Sequence, residues 1–299
     1  MRRHAKTTTA SHFFTIALAG YAMVGCSAAG DHISPETKGS EQIHSPSDQR
    51  RKLPLEMYTF SSAEELTIAR ARIKATAACM RKFGLTYQGP PLENISKFPA
   101  VTDRRYGLTD ENYAALNGYH IAGLQPEKTP SRTPEEDIFL LGENGGASSR
   151  NGKEIPPGGC ARWGWNKISQ ENSMDDERLA VELMHKSFSL SQSDPDTKAA
   201  ISSWSNCMKR SGYSYGDPLT AGDDVSGKNE ATSGEREVAK IDARCNNETN
   251  LAQTWYAIEK RIQNSLITEN GAALNKWLNE KNNILRNAEA VSNGTIPIS

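Results

Sequence analysis

One nine-residue stretch occurs twice in this chain: CMRKFGLTY at residues 79–87 and CMKRSGYSY at residues 207–215. In each copy a glycine, Gly84 or Gly212, follows the cysteine by five positions, and small and apolar residues at helical spacing precede the cysteine. A glycine there fits the left-handed residue that ends many helices, and the two basic residues before it complement the helix dipole. Each copy therefore predicts a helix end with a glycine cap, and the pair predicts two similarly built helical units.

Residues 1–25 predict a signal peptide rather than part of the fold. Three basic residues precede an apolar run, 13–24, that is too short to cross a bilayer as a mature helix. The run ends in Gly25-Cys26, which resembles the lipobox of bacterial lipoproteins, where the cysteine becomes the acylated first residue and carries chains such as palmitate. We therefore predict lipidation at Cys26. The alternatives are an ordinary secretory signal, which would give a secreted protein, and an uncleaved signal anchor.

Residues 26–54 predict a disordered tether, because they are polar and show no periodicity. The full chain has a formal charge of −1, and loss of the signal peptide, with three basic and no acidic residues, leaves −4. That mild acidity argues against nucleic acid as a partner and supplies no net attraction to anionic lipid. We therefore expect the membrane to be a partner through the lipid anchor.

Helix signals dominate the rest of the chain, so the predicted fold is mainly α and resembles a helical bundle. An N-terminal unit, 55–172, opens with capping boxes at 61–65 and is rich in loops. Residues 150–153 give the signal for a small β-hairpin.

A C-terminal unit, 173–293, is more regular, and the tail at 294–299 is predicted to be disordered. From about residue 235 one apolar stripe runs to the end of this unit in steps of three, four and seven residues. Asn270-Gly271 interrupts the stripe, which leaves one long helix and a helical hairpin as open predictions.

Four cysteines remain after Cys26, and an even number in an exported chain indicates disulfides. Sequence alone allows three connectivities. The duplication favours pairing within each unit, Cys79 with Cys160 and Cys207 with Cys245. Zinc is the rival interpretation, but the short ligand spacing of zinc sites is missing.

Five further segments carry a pattern that occurs in other bacterial proteins: Arg104–Asp110, Asn117–His120, Gly158–Cys160, Trp204–Lys209 and Asp242–Cys245. Together with the repeat, they make most of residues 61–290 similar to predicted secreted lipoproteins of actinomycete bacteria, a family of unknown function. The resemblance implies export and cysteine pairing, and it implies no catalytic residue.

Candidate functional residues are few. The sequence lacks the common hydrolase, metalloprotease, nucleotide-binding and dinucleotide-binding motifs, so we predict no catalytic residue, no cofactor and no metal. His120, with Arg104 and Arg105 not far before it, is the candidate for a polar site.

Aromatic residues supply the other candidates. Trp255, Tyr256 and Trp277 spread over more than one face of the predicted C-terminal helix, which predicts an apolar surface for a partner. A second set is typical of either core or a surface on which glycans stack: Tyr106, Trp163 and Trp165.

The predicted function is therefore that of a non-catalytic binding or interaction module at the cell envelope. Its place would be the outer face of the cytoplasmic membrane, with an unknown protein or cell-wall partner. The alternatives are an extracytoplasmic enzyme with its site near His120, and a structural envelope spacer.

Overall fold

A computed structural model describes residues 51–95, 104–124, 130–142, 149–150, 152–170, 175–221, 223 and 230–297. The predicted signal peptide, the predicted acylation site Cys26, most of the predicted tether and the last two residues of the tail lie outside this part of the chain. All described residues belong to one compact unit, His44–Ser299.

The protein is mainly helical, as predicted from the apolar periodicity. A 3-10 helix, Pro54–Tyr58, comes first. Two-residue strands, β1 and β2, pair antiparallel with Ser149 opposite Glu154. The elements after the 3-10 helix are α1 Ser62–Lys82, α2 Glu111–Asn117, α3 Pro134–Leu141, β1 Ser149–Arg150, β2 Lys153–Glu154, α4 Gly159–Ser169, α5 Asp175–Ser193, α6 Pro195–Arg210, α7 Ser233–Glu248 and α8 Leu251–Asn293. Among the helices described, none has the length and apolar character needed to cross a membrane.

The two copies of the repeat end their helices in the same way. Gly84 and Gly212 both have positive φ, 74° and 90°. The residue after each glycine donates its backbone N–H to the carbonyl of the methionine five residues before it, over 3.1 Å for Leu85 and 3.0 Å for Tyr213. This closes the last turn as a Schellman motif does, so the predicted glycine caps are confirmed.

Both predicted disulfides are confirmed. Cys79 bonds to Cys160 and Cys207 bonds to Cys245, with Cα atoms 5.5 and 5.6 Å apart. The partner cysteines lie at different ends of their helices, because Cys160 is in the first turn of α4 and Cys245 is in the last turn of α7. The two copies of the repeat therefore share their first helix end but differ in how the second helix meets it.

The long helix α8 runs through the predicted break as a kink. Asn270 leaves helical geometry, with φ −115° and ψ 16°, while the residues on both sides remain helical. At the kink the Asn270 side-chain amide donates to the Leu266 carbonyl, one turn before it, over 2.8 Å. On its two arms α8 packs against α1, α4, α5 and α6, so it contacts helices on both sides of the predicted unit boundary at residue 172.

Two apolar clusters make up most of the core, and each centres on α8 tryptophans. One surrounds Trp277 and includes Leu55 and Tyr58 from the 3-10 helix. The other surrounds Trp255 together with Trp204 of α6. The stripe predicted along α8 is thus largely an inward-facing surface.

Candidate functional site

Two residues predicted for a partner surface belong to the core, and this prediction is corrected. Trp255 and Trp277 are fully buried. The Trp255 indole N–H donates to Ser191 Oγ over 2.8 Å, and the Trp277 indole N–H donates to the Tyr58 carbonyl over 2.7 Å. A tryptophan whose ring and N–H are both satisfied inside the chain has nothing left for a partner.

The aromatic residues that pack on Trp255 and Trp277 come from segments distant in sequence. Phe188 of α5 stacks on Trp255 at 5.3 Å, and Phe60 meets Trp277 edge-on at 5.9 Å. Tyr256, the third predicted residue, is half-buried, and its hydroxyl donates to the Lys52 carbonyl over 3.0 Å. The aromatic residues of α8 therefore fix the N-terminal segment and α5 to the long helix.

Arg105, predicted as a binding residue, points into a buried polar network around Glu259 of α8. Its guanidinium donates twice to the Glu259 carboxylate, over 2.9 and 2.7 Å, and once to the Met184 carbonyl over 3.0 Å. The Glu259 side chain is fully buried, and Tyr106 donates to its Oε2 over 2.9 Å. Burial and the neighbouring Glu259 charge raise the pKa of Tyr106, so its hydroxyl stays protonated and donates.

The remaining bonds of this network saturate the carboxylate. Ser187 donates to Glu259 Oε1 over 2.8 Å, and the Gln263 amide donates to the same oxygen over 3.1 Å. Gln263 Oε1 accepts from the Leu55 backbone N–H over 2.9 Å. A buried carboxylate with a bidentate arginine and three neutral donors has no lone pair directed at a substrate, which indicates a structural role.

His120 lies at a second polar cluster, where the segment after α2 meets α7. His120 Nε2 is 3.2 Å from Glu235 Oε1, which is within ion-pair distance, although Nε2 makes no hydrogen bond with the described residues. The His120 side chain is 26% exposed and the Glu235 side chain 1%. Arg104 donates to the carbonyls of Tyr119 and His120 and lies 5.1 Å from the Tyr113 ring. Sequence proximity correctly indicated that Arg104 and His120 come together.

Glu235 is already committed to local structure. Its Oε2 accepts from the Thr232 backbone N–H over 3.2 Å, in the capping box that starts α7, and its Oε1 accepts from the Tyr119 backbone N–H over 3.1 Å. Gly118 makes this approach possible, because a Cβ there would lie 2.9 Å from Glu235 Cδ. The geometry fixes the 118–120 segment to α7.

Asp242, which the sequence did not single out, is the most unusual acid of this cluster. It is fully buried two helical turns after Glu235, and among the described residues its hydrogen-bond partners are neutral: Trp204 Nε1 at 2.8 Å and Tyr119 Oη at 3.1 Å. Burial raises the pKa of Asp242 to about 7, and these two hydrogen bonds only partly oppose the rise. The carboxyl therefore titrates near neutral pH.

Asp242 predicts a pH-dependent stability. Because its pKa in the folded chain, about 7, exceeds its ordinary value of 3.8, the folded chain holds an extra proton between these values. The stabilisation is complete at low pH and is lost as pH rises through 7. We expect the free energy of unfolding contributed by this group to fall by about 2 kcal/mol between roughly pH 5 and pH 7.

Urea unfolding across that range, in the wild type and in Asp242→Asn, measures this contribution. In Asp242→Asn the free energy of unfolding should fall less steeply with pH than in the wild type, because Asn is close in shape to a protonated Asp and does not titrate. Glu237→Gln, an exposed change on the same helix, is the control and should keep the wild-type slope. Equal slopes in Asp242→Asn and the wild type would contradict the prediction.

The other aromatic candidates divide between core and surface. Tyr106 is buried, whereas Trp163 and Trp165 of α4 are half-buried. Cations cover both indoles: Lys82 and Lys167 lie 4.8 and 4.7 Å from the Trp163 ring, and Arg72 lies 5.3 Å from that of Trp165. These rings pair with cations of the chain itself, which argues against the glycan-stacking interpretation.

Within the described residues, no three His, Cys, Asp or Glu side chains are arranged to hold a metal ion. Comparison of the chain with known protein families, with curated proteins and with solved structures gives no match. Function is therefore inferred from the residues of this chain alone.

Proposed function

We propose that this protein is an exported, lipid-anchored binding protein of a bacterial cell envelope and that it has no catalytic role. Cys26 would carry the lipid, and the residues up to about 54 would form the tether between the membrane and the helical unit. The single observation that carries the proposal is the pair of buried disulfides, because such bonds persist in oxidising compartments outside the cytoplasm.

The hydrogen bonds of two buried acids, Glu259 and Glu235, favour binding over catalysis. Glu259 is saturated by five hydrogen bonds, and Glu235 is engaged in a helix cap and in fixing Tyr119. A general base needs a free lone pair within reach of a substrate proton. Glu259 and Glu235 instead support a role in holding segments together, which weakens the alternative of an enzyme centred on His120.

Exchange of the acylated cysteine tests the proposed location. Cys26→Ser removes the thiol to which a lipid would attach, so we expect the protein to move from the membrane fraction to the medium or to remain as an uncleaved precursor. Fractionation of expressing bacteria, with labelled fatty acid to report acylation, measures both. The four disulfide cysteines stay in place, so folding is unchanged in this comparison. Unaltered membrane association without incorporated fatty acid would refute the lipid anchor.

A further inference from the structure

Two stretches of this chain contain no acidic residue. Residues 66–92 carry five basic side chains, and residues 155–170 carry two. The Cys79–Cys160 disulfide and the packing of α1 against α4 bring the two stretches together. We use the name basic α1–α4 surface for their seven cations and two half-buried indoles: Arg70, Arg72, Lys74, Arg81, Lys82, Arg162, Lys167, Trp163 and Trp165.

In the part of the chain that the structure describes, none of the seven cations of the basic α1–α4 surface forms an ion pair with a carboxylate. Lys74 donates to the Ser292 carbonyl over 2.8 Å, which leaves its charge in place.

The acids next to the two stretches in sequence are Glu65, Glu93 and Glu154, and all three are exposed. In α3, which packs against α4, Asp137 pairs with Arg132 at 2.7 Å and Glu136 caps the helix at Thr133. Glu289 of α8 is near Ser292 in sequence and exposed. Uncompensated like charges at a helix pair reduce stability unless an anionic partner offsets them.

The indoles hold part of this charge in position. Lys82 comes from α1 and Lys167 from α4, and both ammonium groups lie within 5 Å of the Trp163 ring. Arg72 covers Trp165 in the same way. Cations fixed over aromatic rings lose less freedom on binding than free lysines do, and rings so covered are not available to stack on sugars or bases.

We propose that the basic α1–α4 surface binds anionic phospholipid headgroups, so that the helical unit lies against the membrane. The proposal rests on the envelope location proposed above. Lysine, arginine and tryptophan together are the side chains that favour a membrane–water interface. A flexible tether of about 28 residues would keep the unit within roughly 30 Å of the lipid and so raise the effective concentration of headgroups.

The local charge differs from the net charge. Without the predicted signal peptide the chain has a formal charge of −4, so the residues outside these seven cations sum to −11. Lys82 and Lys167 meet at the Trp163 ring, and an anionic bilayer would attract the part of the unit that carries them. The expectation from net charge, that lipid attraction would be absent, describes the whole mature chain and does not describe this local set of cations.

Vesicle binding by the full mature chain with Cys26→Ser tests the surface without the lipid anchor. The probes are vesicles of phosphatidylcholine, vesicles of phosphatidylcholine with phosphatidylglycerol, and soluble polyphosphate. We expect cosedimentation with the phosphatidylglycerol vesicles alone, weakened by salt because the attraction is electrostatic. The triple change Lys82→Gln, Arg162→Gln and Lys167→Gln should lower that affinity by about 100-fold, since each cation near an anionic surface contributes about five-fold.

The matched control removes three exposed cations elsewhere: Lys198→Gln, Arg236→Gln and Lys240→Gln. It has the same net charge as the first triple and should bind within about two-fold of the parent. Equal losses in both triples, equal binding to both vesicle types, or no binding to either would overturn the proposal. Tighter binding to polyphosphate than to vesicles would overturn the choice of lipid. A failed lipid anchor would show in the fractionation of Cys26→Ser and leaves this test unaffected.

Discussion

Trp277→Ala is expected to lower the free energy of unfolding by about 3–5 kcal/mol, the usual cost of deleting a buried tryptophan side chain. Trp277 is fully buried in the cluster that joins α8 to the 3-10 helix and α5. The change leaves a cavity lined by that cluster, and it also leaves the Tyr58 carbonyl without the indole N–H that binds it at 2.7 Å. Urea unfolding of the oxidised protein, followed by far-UV circular dichroism, measures the difference.

Two further variants separate the loss of packing from the loss of the indole hydrogen bond. Trp277→Phe keeps most of the volume and removes only the N–H, so it should cost less than Trp277→Ala. Leu116→Ala, at a side chain that is 69% exposed, should change stability by about 0.5 kcal/mol or less. A loss below about 1 kcal/mol for Trp277→Ala would mean that this residue is not the packing centre that the structure shows.

Local chemistry made several helix ends predictable, although the break between α7 and α8 at Thr249 and Asn250 was not among them. A capping box at Ser61, a proline after Thr133 and the glycines of the repeat each act within one turn of chain, so a few neighbouring residues suffice to place them. The disulfide pairing was predictable for a related reason. The two copies of one motif favoured, among three connectivities, the pairing within each copy, and the structure has that pairing.

Burial of the α8 aromatics was not predictable in this way, because their cover is remote in sequence. Trp277 binds Tyr58 across 219 positions, and Trp255 binds Ser191 across 64. Apolar spacing shows that a helix has a wide apolar surface, but it does not show which segments cover it. Here the short 3-10 helix that follows the predicted tether covers part of the apolar surface of α8.

The polar candidates show the same limit. Arg104, Arg105 and His120 lie close together in sequence, yet the fold sends Arg105 to Glu259 and leaves Arg104 and His120 at α7. Residues 104–107 form a turn, in which the Gly107 N–H donates to the Arg104 carbonyl over 3.3 Å, and the two neighbouring arginines leave this turn toward two different clusters. Only the long-range partners decide which arginine is buried.

Arg105→Met is therefore expected to destabilise the fold rather than to weaken binding of a partner. The change leaves the buried Glu259 carboxylate with three neutral donors and no cation, and removal of one member of a buried pair costs about 3–5 kcal/mol. Urea unfolding near neutral pH measures the loss. The exposed pair Arg244–Glu248, at 3.9 Å, offers the matched control, and Arg244→Met should cost about 1 kcal/mol or less.

A second substitution tests whether the unpaired Glu259 charge causes the loss of stability in Arg105→Met. Glu259→Met added to Arg105→Met removes the unpaired carboxylate, so the double variant should be more stable than Arg105→Met alone. Methionine suits both sites because its flexible side chain fills irregular apolar space. If Arg105→Met cost no more than Arg244→Met, the Glu259 network would not hold residues 104–108 to α8. Arg105 would then again be a candidate for binding a partner.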